Sequence, residues 1–122
     1  MPYISKEEVK EIRQKLNKEF KDKGFKFSVT REDGHLVNVS IIKSKEDFSD
    51  ILENETYVEL NQYYLEEYGS HHYKTLKRIR DIITSLDTYN DCIYEDIDYG
   101  KFPSYYYTIN IGKYNKSWSL QE

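Results

Sequence analysis

Two adjacent histidines, His71 and His72, form the one histidine pair of this 122-residue chain and have the chemistry to bind a metal or move a proton. Neighbouring positions on a helix point about 100° apart, so the two rings do not converge readily on one ion. Asp91 or Glu95 would have to complete such a site, and no H-x-x-x-H spacing occurs. The pair is expected to face solvent at a helix start, with no metal bound. His35 follows a turn and is expected to be exposed. Cys92 is the sole cysteine and lies among acids, where negative charge disfavours the reactive thiolate. It reads as a small buried residue. Glu95, Asp96 and Asp98 are one acidic run, whereas a Mg²⁺-dependent nuclease needs carboxylates converging from separate elements. Gly112-Lys113 lacks the earlier glycine and the following Ser or Thr of a phosphate-binding loop. These residues form no catalytic signature. A non-enzymatic protein without cofactor is expected.

Charge and tyrosine content point to binding instead. The net charge is −4, and thirteen tyrosines supply apolar area with a polar tip. Residues 46–67 hold eight acids and no base, and residues 87–98 hold five acids and no base. A polarised surface of this kind steers a charged partner. The candidate partner-binding residues are Glu53, Glu55, Glu59, Glu66, Glu67, Asp91, Glu95, Asp96 and Asp98. The alternative is a nucleic-acid surface made by Lys74, Lys77, Arg78, Tyr106, Lys113 and Lys116, with tyrosine stacking on bases and cations holding phosphates. The negative net charge weighs against that alternative.

The elements that must position these residues follow from periodicity. Ser5-Lys6-Glu7-Glu8 is a capping box, with Ile4 and Val9 placed for a hydrophobic staple. Val9, Ile12, Leu16 and Phe20 form one helix face, predicting a helix over 6–23 that ends at Gly24. Phe25, Phe27 and Val29 alternate with polar residues, as do Val37, Val39 and Ile41, and Asp33-Gly34 lies between them. This predicts a β-hairpin. Ser44-Lys45-Glu46-Asp47 signals a short helix of two turns, and Thr56 to Tyr64 reads as a third strand. Residues 66–69 read as a loop. Tyr73, Leu76, Ile79, Ile83 and Leu86 mark a helix over 71–86 capped by Ser70. Residues 87–98 read as a loop or short edge strand. Residues 99–116 read as one strand ended by Gly112 and a cationic tail. Tyr105, Tyr107, Ile109 and Ile111 face the core there, with Tyr106, Thr108 and Asn110 opposite. One α+β domain is expected, with one antiparallel sheet of four or five strands and two main helices packed on one face. No run of about 18 apolar residues is present, and the N-terminus lacks a signal peptide's apolar stretch. With a single cysteine, this fits the cytoplasm and no membrane association.

Several blocks carry a resemblance. Ile12-Arg13-Gln14-Lys15-Leu16, Phe25 to Val29, Val58 to Leu65 and Leu76-Lys77-Arg78-Ile79 resemble segments of the large polyvalent-protein-associated domains. Tyr89-Asn90-Asp91, Ile97-Asp98-Tyr99 and Tyr107 to Lys116 resemble their closing segment. Where those domains have a tryptophan-glycine-proline turn, Ile42-Lys43-Ser44-Lys45 stands here. The resemblance implies a small α+β module of a phage, plasmid or conjugative element, delivered alongside proteins that counter host defences. It carries over no functional residues. Taken with the acidic segments, it leads to an expected partner among bacterial CRISPR or restriction effectors, inhibited as an anti-CRISPR or anti-restriction protein inhibits them.

Overall fold

A computed structural model describes residues 3–86, 105–121 and, by backbone alone, 94–96 and 100–102. The chain is an α+β fold built on a mixed sheet. Helix α1 spans Lys6–Phe20. Ser5 Oγ accepts from the Glu8 amide at 3.1 Å, and Glu8 Oε1 accepts from the Ser5 amide at 3.0 Å. A side-chain cap of this kind stabilises a helix by about 1 kcal/mol. Val9, Ile12, Leu16 and Phe20 are its buried face. A 3₁₀ turn over Lys21–Lys23 and Gly24, at φ 70°, close the helix.

Strands β1 (Lys26–Glu32) and β2 (Leu36–Ser44) form the expected hairpin. Asp33 and Gly34 have φ of 53° and 76°, the two positive angles that match the twist of paired strands. His35 is half-buried rather than exposed.

Beyond β2 the local readings need correction. Helix α2 is a single turn, Ser49–Leu52, instead of two. Asp47 Oδ1 accepts from the Ser49 amide at 2.8 Å, whereas Ser44 is the last residue of β2. Strand β3 is only Val58–Glu59. The predicted extension to Tyr64 is stopped at Asn61, whose Oδ1 accepts from the Tyr63 amide at 3.0 Å and turns the chain. A 3₁₀ helix, Leu65–Tyr68, takes the place of the predicted loop. Helix α3 spans Ser70–Ile83, with Gly69 rather than Ser70 at its cap and no side-chain cap bond. Strands β4 (Tyr94–Asp96) and β5 (Gly100–Phe102) pair with each other in a second, two-stranded sheet. The stretch from residue 99 onward is therefore not one strand. Strand β6 is Tyr106–Ile111, and β7 is Ser119–Leu120. Cys92 lies outside the described residues.

The main sheet has the order β1-β2-β6-β3, with β7 also paired to β2. It is mixed, not antiparallel. Strands β2 and β6 run parallel, from Leu36 opposite Tyr106 to Ile41 opposite Ile111. Residues 45–105 provide the long crossover that parallel neighbours require. Alternation of apolar and polar residues is the same in either orientation, so it cannot report direction. Strand β6 is an inner strand, and its odd face turns to the core: Tyr105, Ile109 and Ile111 are buried, while Tyr107 is only partly buried against them and also lines a surface groove. They share one core with Val29, Val37, Val39 and Ile41 of the hairpin, the buried stripe of α1, and Leu76, Ile79 and Ile83 of α3. Tyr105 Oη donates to the Ile83 carbonyl at 2.5 Å, tying the end of α3 to the start of β6.

Candidate functional site: an acidic, tyrosine-bearing edge

The edge of the sheet is made by β3 and the segments that flank it. Glu53, Glu55, Glu59, Glu66 and Glu67 are all exposed there. Glu53 and Asn54 have left-handed backbones, φ 49° and 71°, which turn the chain out of α2. Val58 and Glu59 are held by pairing with Ile111 and Asn110 of β6, and the Leu60 amide donates to the Ile109 carbonyl at 2.9 Å. The 3₁₀ helix carrying Glu66 and Glu67 is tied back to this edge. Tyr68 Oη accepts from the Asn61 amide at 2.8 Å. The same stretch exposes Tyr57, Tyr63 and Tyr64, with Tyr63 at 79% of its free area. Tyr114, 83% exposed, meets Tyr57 edge-to-face at 6.4 Å between ring centroids. A groove of about 430 Å³ runs along the edge, lined by Glu59, Asn61, Gln62, Tyr63, Tyr68 and Thr108. Of the five predicted acidic residues here, Glu59 stands on β3 and lines the groove, Glu53 and Glu55 lie in the segment that leads into β3, and Glu66 and Glu67 stand on the 3₁₀ helix that follows it. Asp91 and Asp98 lie outside the described residues, as do the side chains of Glu95 and Asp96.

The basic set is divided. Lys74, Lys77 and Arg78 stand on α3, whose apolar side shares the core with Ile109 and Ile111. Tyr106 is exposed on the opposite side of β6, and Lys113 Nζ donates to Ser28 Oγ of β1 at 3.0 Å. Lys116 is exposed in the turn that follows. Arg78 is already engaged: its guanidinium grips Glu19 of α1 through both Nε and Nη2, the latter at 2.9 Å. That contact lowers the Glu19 carboxyl below its ordinary value and raises Arg78.

The histidine pair is split as well. His71 is exposed, but His72 is fully buried, which corrects the expectation of a solvent-facing pair. Its ring stacks on Phe48 with centroids 4.7 Å apart. Nδ1 lies 2.5 Å from Glu46 Oε2, and Nε2 lies 3.0 and 3.1 Å from the two Asp50 oxygens. Thr75 Oγ1 donates to the remaining Glu46 oxygen at 2.6 Å. The sequence held a signal for this. His72, Leu76, Ile79 and Ile83 have the 4-3-4 spacing of a buried helix face. Tyr73, half-buried beside it, heads a competing 3-3-4 stripe with Leu76, Ile79 and Ile83 that leaves His72 out.

No family model, curated protein or solved structure matches this chain. Its function is therefore argued from its own surface. Among the described residues, no helix is long and apolar enough to cross a membrane.

Proposed function

We propose that this chain is a non-enzymatic binding protein whose acidic, tyrosine-bearing edge docks onto a basic macromolecular partner. One observation carries the reading. Glu53, Glu55, Glu59, Glu66 and Glu67 are exposed together with Tyr57, Tyr63 and Tyr64, in a segment with no lysine or arginine from 46 to 67. Carboxylates steer a basic partner and reject other acidic surfaces, while tyrosines supply rigid contact area. In this reading α1 and α3 cover one face of the sheet and leave the β3 edge free for the partner.

The favoured partner is a bacterial CRISPR or restriction effector, whose DNA-binding channel has the required positive charge. The chain then acts as an accessory protein of a phage or other mobile element, in the host cytoplasm, by occupying that channel. The resemblance to the large polyvalent-protein-associated domains supports this setting. The nucleic-acid reading is the weaker one, because its basic residues are divided between α3 and the far side of β6.

Size-exclusion co-elution with a panel of purified Cas nucleases and restriction enzymes tests the proposal. One effector is expected to co-elute at low salt, with the complex weakening as salt rises. A double substitution, Glu59→Lys with Glu66→Lys, is expected to abolish co-elution. Separate migration from every effector counts against the reading. A gel shift of DNA or RNA that survives this double substitution would replace it with the nucleic-acid alternative.

A further inference from the structure

The geometry points to a transition-metal site at the start of α3, in which His72 Nε2, a ring nitrogen of His71 and a carboxylate oxygen of Asp50 bind a divalent ion of the Zn²⁺ class. One potential ligand atom from each residue lies within 4.8 Å of the others. The stronger argument is how His72 is held. A metal-binding histidine ordinarily gives its second ring N–H to a carboxylate, which fixes the tautomer and the ring plane. His72 has that partner in Glu46, at 2.5 Å from Nδ1. Glu46 is itself fixed by Thr75, and Phe48 lies flat against the ring. The supporting contacts of a ligand are therefore built into a fully buried side chain.

Nε2 then faces Asp50. A neutral imidazole has one N–H. With Nδ1–H given to Glu46, the position between Nε2 and the Asp50 carboxylate takes a positive centre, either a second ring proton or a divalent ion that replaces it. Asp50 and Glu46 together offset the charge of a divalent ion. His71 brings the third donor. Its ring centroid is 4.0 Å from that of His72, despite the usual divergence of adjacent helical residues. Gly69 makes room for it: a Cβ there would lie 3.3 Å from His71 Cε1, on a backbone at φ 100°.

Zn–N bonds of about 2.0–2.1 Å bring tetrahedral donors to roughly 3.4 Å separation. Asp50, already 3.0 Å from His72 Nε2, opens by a few tenths of an ångström to admit the ion, and the exposed His71 ring, whose donor lies within 4.8 Å of the other two, closes in by up to about 1.4 Å. Asp50 and His71 are exposed and open the site to solvent, and His71 and Glu46 also line a groove between α1 and α3. Lys23, Lys74, Lys77 and Arg78 line the same groove and are cations that oppose binding. Two imidazoles and one carboxylate suit Zn²⁺, Ni²⁺, Co²⁺ or Cu²⁺ over Mg²⁺ and Ca²⁺.

The test uses the full chain after chelator treatment, titrated with Zn²⁺ by calorimetry and with Co²⁺ by visible absorption. One equivalent of Zn²⁺ and the intense visible bands of tetrahedral Co²⁺ are expected. His71→Gln and Asp50→Asn change exposed residues, so the fold is retained and circular dichroism verifies it. Each is expected to weaken Zn²⁺ binding about tenfold or more, and Glu46→Gln by about 10- to 100-fold. Absence of Zn²⁺ binding, unchanged affinity in both exposed variants, or displacement of Zn²⁺ by equimolar Mg²⁺ each overturns the site. The result is independent of the partner assay, because it needs no partner.

Discussion

At Gly112 the backbone turns with φ 73°, and its amide donates to the Ile41 carbonyl at 2.8 Å. A Cβ added there would stand 2.8 Å from the Thr56 carbonyl oxygen and 3.0 Å from the Trp118 amide nitrogen. These are backbone atoms, so no rotamer change relieves the clash. Gly112→Ala is expected to destabilise the protein by about 1–3 kcal/mol, read from the urea unfolding midpoint. An unchanged midpoint would show that β3 and the Trp118 segment are not closed on this glycine. The strand end at Gly112 was legible in the sequence, because the alternation stops there. The reason only glycine fits was not, because Thr56 and Trp118 approach it from distant parts of the chain. The same holds for His72. Its place on a buried stripe is written in local spacing, but Glu46, Asp50 and Phe48 reach it from another element.

Elements with strong local signals were read closely from sequence. The capping box sets the start of α1, the Asp-Gly pair sets the β1–β2 hairpin, and the stripe of α3 is periodic. Elements bounded by side-chain turns depart from their local pattern: Asp47 delays the start of α2 and leaves it one turn, and Asn61 stops β3 after two residues. One contact joins the two main helices and carries a pH dependence. Arg78 of α3 grips Glu19 of α1 and holds its carboxyl below the ordinary range. Asp47 is lowered too, first by its hydrogen bonds to Ser49. A carboxyl lowered in the folded state binds fewer protons there than when unfolded. Its contribution is complete above the unfolded value, about pH 4, and is lost as pH falls through the folded value. Urea midpoints are expected to drop from pH 6 towards pH 3, with Arg78→Ala removing part of the drop. Arg78→Ala at pH 7 is expected to cost at most about 1 kcal/mol, because the pair is exposed. A pH profile identical in Arg78→Ala would remove the Glu19 contribution from this account.

For the whole molecule, sheet direction is the feature that sequence could not supply. The α+β class and the buried odd face of β6 follow from pattern, but the parallel β2–β6 pairing depends on where a long crossover returns. That pairing makes β6 an inner strand and leaves β3 at the edge, where the acidic residues and exposed tyrosines are presented. The acidic segment itself was plain from composition. Its union with Tyr57, Tyr63, Tyr64 and Tyr114 along one edge comes from the fold. The proposal that this edge disables a host effector is tested most directly by a challenge assay. Bacteria carrying an active CRISPR or restriction system are transformed with targeted plasmid while expressing the chain. Against the effector that co-elutes with the protein, the wild type is expected to restore transformation, and the Glu59→Lys, Glu66→Lys variant is expected to leave the host defence intact. Failure of the wild type to restore transformation, or equal protection by the charge-reversed variant, would contradict the account.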